Sequence, residues 1–386
     1  MNKIIFRNLR LGYTYTGLAF FGITSLWVIF LQQQGLSLVE IGLCESIFHL
    51  TSFLSEVPSG ILADRFSYKT VLIGGRIAAI LHATIMLTAH SFWWFALGFV
   101  LQAWAYNLQS GTIEALLYES LAEGHATAQY PQVTKTMNTT IEFADTLGVL
   151  IAGWLIHGYL KFSYWGYIIA AIIAIISVVS LHEPRRAPAT TAQQSSVWQI
   201  VKAAGHWLKK LPQLRNLMVF HATFTAIGTT YYYYFQAVMT AHGFSGPLIS
   251  GILVATAILN IAGVQLTPWL QQKWPQLALL RGLSILLTII LVTALWSTLP
   301  ELVMGYLLIN MLMAIVEPLL SNYYNALIPS AQRATLLSVA SMLFSVVMII
   351  VFPIVGWLIQ ISNFTMTFGW LGLLLGLLGG RVLRHK

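Results

Sequence analysis

Charge is what this sequence is short of. Asp, Glu, Lys and Arg make up 8% of its 386 residues, against about 25% in a soluble domain. That shortage excludes a chain that turns most of its surface to water. Cysteine occurs once, as Cys44 inside an apolar run. A lone cysteine excludes an intramolecular disulfide and a cysteine-based metal cluster, and reads as a small buried hydrophobe. Also missing are a nucleophile–base constellation, a His-based zinc motif and a phosphate-cradling loop. No enzyme, metal, cofactor or ATP-hydrolysing site is therefore expected. The first apolar run lacks a small-residue cleavage site, so no cleavable signal peptide is expected.

Apolar side chains are abundant, at 57% of the chain. The excess must face lipid. Apolar segments fall near 11–33, 38–62, 70–90, 92–118, 135–159 and 162–181, then near 214–241, 246–270, 277–298, 301–323, 334–360 and 364–383. A spanning helix takes about 20 apolar residues, and none of these runs alternates with period two. Backbone groups in lipid must pair within a helix or a closed barrel. The expectation is an all-α membrane protein with twelve transmembrane helices in two six-helix bundles.

Lys and Arg set the orientation. With both termini cytoplasmic, nineteen of the twenty basic residues fall on one side and only Lys161 on the other, a strong positive-inside signal. Arg76 is counted here with the loop residues Arg65 and Lys69. The net charge of +8 then meets anionic lipid headgroups, and a nucleic-acid partner is not expected. The polar stretch near 182–212 divides the chain into bundles at 1–181 and 213–386. Its first part is rich in Pro, Ala, Thr and Gln and reads as a linker. Its second part reads as an interfacial helix, with Trp198, Val201, Trp207, Leu208 and Leu211 on one face and Lys202, Lys209 and Lys210 toward headgroups.

The bundles look like diverged parallel repeats. Gly35-Leu36-Ser37 after the first segment matches Gly243-Phe244-Ser245 after the seventh. Ile113-Glu114-Ala115-Leu116-Leu117 in the fourth matches Val316-Glu317-Pro318-Leu319-Leu320 in the tenth. Parallel repeats place substrate at their interface near the midplane.

Between the second and third segments stands Gly60-Ile61-Leu62-Ala63-Asp64-Arg65-Phe66-Ser67-Tyr68-Lys69. It is similar to the signature loop of the major facilitator superfamily, G-x-L-A-D-R-x-G-R-K, with Ser67 for the usual glycine and Tyr68 for the usual basic residue. The twelve-segment pattern extends the resemblance over the whole chain. It implies a transporter working by alternating access, and a cytoplasmic gate in which Asp64 caps the eleventh helix and Arg65 pairs with an acid at the end of the fourth, here Glu119. Gly60 and Lys69 complete that motif. Gln102 stands near where drug-exporting members carry an arginine, and Gly148 to Gly153 keeps the outer glycines of G-P-x-x-G-G without its proline. Glu56-Val57-Pro58-Ser59-Gly60 and Ser110-Gly111-Thr112-Ile113-Glu114-Ala115-Leu116 resemble an acid-bearing bacterial branch that includes multidrug exporters.

Six carboxylates fall within the spans: Glu45, Glu56, Glu114, Glu142, Asp145 and Glu317. No Lys or Arg is expected deep in a span to neutralise them. Each acid can hold a proton, hydrogen-bond a neighbour or meet a cationic substrate. Helical spacing sorts them into stripes: Glu45, His49, Ser52 and Glu56; Asn107, Ser110, Glu114 and Tyr118; Asn138, Glu142 and Asp145; Asn310, Met313, Glu317, Ser321 and Tyr324. Such stripes should face the bundle interior or a wet cavity.

The resemblance lines the cavity with the first, fourth, seventh and tenth helices. Glu114 and Glu317 then lead as proton or substrate sites, with Glu317 before Pro318 alternatively satisfying backbone at a kink. Asp145 and Glu142 follow, or belong to the gate. Glu56 reads as a partner for the Arg65 loop and His49 as a polar packing residue. Tyr13, Phe20 and Trp27 share a face of the first segment, and Tyr232 joins His221, Thr225, Gly228 and Gln236 in the seventh. Aromatic faces with carboxylates suit lipophilic cations. The expected function is proton-coupled export of hydrophobic or cationic compounds. Proton-coupled uptake of a small neutral or cationic solute is the alternative, and a non-transporting sensor or scaffold a third. The expected partners are a small-molecule substrate, protons and membrane lipids, for a monomer in the plasma (inner) membrane of a bacterium.

Overall fold

The computed structural model describes residues 3–184, 211–327 and 333–382. Residues 185–210, which hold the expected linker and most of the expected interfacial helix, lie outside the described residues.

Among the described residues the regular structure is helical, without strands. In chain order the helices are α1 Lys3–Ala19, α2 Trp27–Gln33, α3 Leu38–Arg65, α4 Tyr68–Thr88, α5 Phe92–Gln109, α6 Thr112–Glu123, α7 Tyr130–Trp154, α8 Lys161–Ser180, α9 Pro212–Ala241, α10 Gly246–Lys273, α11 Gln276–Thr293, α12 Leu299–Leu327, α13 Arg333–Ile361 and α14 Phe364–Val382. Seven described helices are long and apolar enough to cross a membrane, or eight if α1 and α2 count as one bent span. Large apolar side chains stand exposed on these helices, among them Ile176, Ile258 and Ile285, and on others, among them Phe143 and Trp154 of α7 and Leu374 of α14. So much open apolar surface belongs in lipid.

Two of the expected continuous spans are broken. The first segment divides into α1 and α2, bent by 43° across a short 3₁₀ turn at Gly22–Thr24. A close approach by α7 explains the break: Gly148 lies against the backbone of Gly22 and Ile23, where any Cβ would collide. The aromatic face expected from Tyr13 to Trp27 is therefore interrupted, and Trp27 packs edge-on to Phe99 of α5 instead. The fourth segment divides into α5 and α6 at Ser110–Gly111. Gly111 takes φ = +76°, a left-handed conformation that glycine adopts at little cost.

The chain forms two compact units. One comprises Met1–Phe30 and Ile47–Gln194; the other comprises Leu31–Ser46 and Ser195–Lys386. In the first, α4 packs on α5 and α8, and α1 on α7 and α8. Its core gathers Leu9, Tyr15, Leu72, Ile113, Leu117, Met137 and Val178. In the second, α10 packs on α12, α9 on α13 and α11 on α14. The stretch Leu31–Ser46 joins the second unit through specific bonds. The Tyr234 hydroxyl donates to the carbonyls of Leu38 at 3.2 Å and Phe352 at 2.9 Å, and Ser46 donates to the Ile349 carbonyl at 2.8 Å. Apolar burial drives little association between helices in lipid, so close backbone packing and polar bonds of this kind carry it.

Candidate functional site

In the second unit the polar residues of α9 and α12 converge. His221 Nε2 lies 2.9 Å from Glu317 Oε2, and His221 Nδ1 lies 3.1 Å from the Tyr324 hydroxyl. A carboxylate only accepts, so Nε2 carries the proton in that bond; in neutral imidazole Nδ1 then accepts from the phenol. The pair is open on one side: the Glu317 side chain is 68% exposed and that of His221 20%. Glu317 thus meets a histidine, not the backbone ahead of Pro318. Asn310, on the same stripe, is buried and donates to the Tyr306 carbonyl at 2.7 Å. Tyr232 stacks on Tyr306 with centroids 5.5 Å apart.

In the first unit the broken fourth segment sets the geometry. Glu114 falls in the first turn of α6, where backbone N–H groups lack helical partners. Its carboxylate turns back to its own amide and to Gly111, while Oε2 is buried with no hydrogen-bond partner among the described residues. The phenols of Tyr15 and Tyr106 lie near it. Because of the break, Asn107 and Ser110 do not continue one helical face with Glu114 and Tyr118. Asn107 instead locks α5 to α3. It accepts from Ser52 Oγ at 2.8 Å and donates to the Ser52 carbonyl at 2.7 Å and to Ser55 Oγ at 2.8 Å.

Arg76 overturns the expectation that no cation lies deep in a span. It stands eight residues past Tyr68, roughly 12 Å along α4 at 1.5 Å per residue, and is 2% exposed. Its Nη2 donates to Gln109 Oε1, its guanidinium sits 5.6 Å from the Tyr15 ring centroid, and Tyr167 is beside it. No carboxylate comes within ion-pair distance of it among the described residues. Insertion scales set the cost of an arginine at mid-span at about 2.5–3.5 kcal/mol; the ring contact and the bond to Gln109 offset part of it. The loop reading of Arg76 failed because counting basic residues by the nearest loop ignores how far into the following helix each one lies.

The other sequence candidates scatter. Asp145 lies at the break in the first segment, where Ser25 Oγ donates to its Oδ1 at 3.5 Å. Glu142, one turn earlier on α7, is exposed. The polar stripe of the second segment, on α3, divides between the units: Glu45 belongs to the second, and His49 and Glu56 to the first. His49 is buried edge-on to Phe48, and Glu56 is exposed with no bond to Arg65. Arg65 and Glu119 form no ion pair among the described residues, so the expected pairing is not present. The start of the eleventh segment, expected to meet Asp64, borders residues 328–332, outside the described set. Around a Cβ built on Gly60 nothing comes within 4 Å. Lys69 is tied down: its Nζ donates to the carbonyls of Val179 at 2.8 Å and Leu181 at 2.9 Å. Glu183 accepts from the amides of Tyr68 and Lys69, and Ser67 caps the same helix start by accepting from Thr70 N at 3.1 Å. Ser67 in place of glycine therefore serves as the N-cap of α4.

Three features of the site go beyond the stripes and loops read from the sequence, although two of them leave a signal in it. His221 was placed on a polar stripe, but its partner is 96 residues away and no local pattern names it. Arg76 was legible as a charge inside the apolar segment 70–90. The break in the fourth segment was legible as Ser110-Gly111, a pair that ends helices. Chemically, the two units hold corresponding acids in different settings, one on a histidine and one at a half-helix start. Either can take up or release a proton. Among the described residues no group of three or more His, Cys, Asp or Glu side chains could hold a metal ion.

A profile of the Major Facilitator Superfamily matches residues 10–353. The chain is 22% identical over 339 residues to the MFS-type transporter YxaM of Bacillus subtilis (strain 168), covering 84% of this chain and 82% of that one. It is 25% identical over 178 residues to the inner membrane transport protein YajR of Escherichia coli (strain K12), covering 46% of this chain and 34% of that one. Among solved structures it resembles the nucleoside transporter NupG at a TM-score of 0.73 with 16% identity, covering all of both chains. It also resembles a D-xylose–proton symporter at a TM-score of 0.65 with 16% identity, covering 99% of this chain and 98% of that one.

Proposed function

The chain belongs to the Major Facilitator Superfamily, and from that premise we propose that it is a proton-coupled secondary transporter that exports hydrophobic or cationic compounds by alternating access. The observation that carries the coupling is the 2.9 Å bond between His221 and Glu317. It joins two ionisable groups on neighbouring helices, with the carboxylate side open. A proton can arrive and leave there, and cargo can compete for the same carboxylate. Glu114 is the second proton site, in the corresponding helix of the other repeat. Asp145 and Glu142 also serve the cycle, Tyr232 offers cargo an aromatic face, and Asp64 with Lys69 belongs to the gate. The arrangement is twelve spans with both termini cytoplasmic, in a bacterial inner membrane, acting as a monomer. Relatives in Bacillus subtilis and Escherichia coli support a bacterial setting.

Reconstituted vesicles test the reading. With a proton gradient imposed and ethidium as a cationic probe, the parent accumulates the probe against its gradient, and Glu317→Gln and Glu114→Gln lose that accumulation. Variants that pump as well as the parent would remove the proposal.

Proton-coupled uptake of a small polar solute is the second reading. It is favoured by the fold shared with a nucleoside transporter and a D-xylose–proton symporter. It is also favoured by the buried amide of Gln236, whose nitrogen and oxygen have no hydrogen-bond partner among the described residues. The direction in which cells accumulate solute under a proton gradient separates the two.

A further inference from the structure

Arg76 is the one Lys or Arg side chain that is buried among the described residues. Its partner Gln109 is the last residue of α5, is itself 3% exposed, and immediately precedes the break at Ser110–Gly111. Glu114 follows in the first turn of the next half-helix. Tyr15, fully buried, lies against the guanidinium and near the Glu114 carboxylate. A charge buried without a counter-ion is costly, and so is a carboxylate oxygen buried without a partner. Both sit in one polar cluster around Tyr15.

We propose that Arg76 is the positioning residue for Glu114. Its bond to Gln109 holds the end of α5, so the half-helix bearing Glu114 starts at a fixed place. Its positive charge, lying beyond Tyr15 in a medium of low dielectric, allows Glu114 to give up a proton inside an apolar unit. This rests on the reading of Glu114 as a proton site. The groups facing the cluster are Tyr15 of α1, Gln109 and Tyr106 of α5, and Tyr167 of α8. From α7 the same core brings Val133 and Met137 with the Tyr130 phenol at its edge, and α1 and α4 add Tyr13 and Tyr68 there; none of these is a cation. On α6 itself the next acid, Glu119, lies more than a turn away. Arg76 is thus the cation of this neighbourhood.

Infrared difference spectroscopy of the purified full-length protein in lipid tests this without a transported cargo. A carboxylic-acid band that titrates in the parent and is absent from Glu114→Gln belongs to Glu114. The expected result is that Arg76→Gln leaves Glu114 protonated to at least tenfold lower proton concentration than in the parent. Arg76→Lys restores most of the parent profile. Gln109→Leu, which keeps the charge but frees the end of α5, moves the profile less and in the same direction. A merely structural Arg76 would change stability and leave the band's pH profile where it is; that outcome overturns the inference while leaving Glu114 a proton site. A parent with no titrating Glu114 band removes the proton-site reading and this inference with it. Should Arg76→Gln not fold, a Gln109→Leu profile identical to the parent's, together with an Arg76→Lys profile as far displaced as full loss of charge would give, contradicts the proposal.

Discussion

The fourth and tenth apolar segments carry the same acid in the same short pattern, yet they treat it oppositely. In the fourth the backbone breaks at Ser110–Gly111, and Glu114 opens a new half-helix. In the tenth, α12 runs unbroken from Leu299 to Leu327, and Glu317 reaches across to His221. The first and seventh segments differ in the same sense: α1 and α2 are separated by a 43° bend, while α9 continues for 30 residues. The first unit sets its carboxylate at a half-helix start among phenols, with a buried arginine on the far side of Tyr15. The other uses a histidine and a tyrosine on intact helices. A carboxylate in a membrane needs a partner, and backbone or side chain can supply it.

The largest expected effect separates the two settings. His221→Gln removes the ionisable partner of Glu317 while the amide still fills the site. A positioned proton-transfer group typically contributes about a hundredfold or more in rate. Gradient-driven flux in vesicles should fall by about that factor, while an equally conservative Tyr106→Phe beside Glu114 should leave more than half of it. Equal losses would erase the contrast.

Next comes the packing that sustains the break in the first segment. Gly148→Leu forces a side chain into the backbone of Gly22–Ile23. Overpacking a filled site costs about 1–3 kcal/mol, so thermal unfolding in detergent should drop by several degrees and expression should fall. Gly251, around which a built Cβ meets nothing within 4 Å, should accept leucine with little change.

The backbone contrast can be read directly by exchanging residues. Gly111 and Ala314 occupy the same place relative to the two acids. Gly111→Ala forces a Cβ onto φ = +76° and should cost about 1–2 kcal/mol. Ala314→Gly loosens a helix interior and should cost about 0.5–1 kcal/mol. Chemical unfolding of the two variants would give that order; a Gly111→Ala variant as stable as the parent would mean that the fourth segment does not need its break.

The smallest effect lies at the starts of α3 and α10. Ser37 and Glu40 form a reciprocal cap, with Ser37 N donating to Glu40 Oε2 at 2.8 Å and Glu40 N to Ser37 Oγ at 3.3 Å. Ser245 caps alone, accepting from Leu248 N at 3.4 Å. Loss of a cap costs about 1 kcal/mol, and Ser37→Ala should exceed Ser245→Ala by a few tenths, since it also dissolves a capping box.

Helicity, apolar surface and family were legible in the sequence because each is written in local composition: apolar run length, scarcity of charge and the loop around Asp64. Spacing marks Ser52 and Asn107 as polar positions of two stripes, and these two side chains meet, although the stripe that holds Asn107 is cut at Ser110–Gly111. What escaped depends on distance along the chain or on backbone context. His221 finds Glu317 across 96 residues. Arg76 is neutral to a loop count but buried once its helix is placed. Glu114 changes its neighbours because Gly111 turns left-handed, which no periodicity shows. The Arg65–Glu119 pair came from resemblance, and the helix start there is served by Glu183 and Ser67, whose roles follow from capping chemistry and not from the motif.

The most direct test is a paired flux measurement on Glu317→Gln in reconstituted vesicles with ethidium. If Glu317 carries the coupling proton, the variant keeps equilibrium exchange of the probe across the membrane and loses its accumulation under an imposed proton gradient. Accumulation equal to that of the parent would contradict the account.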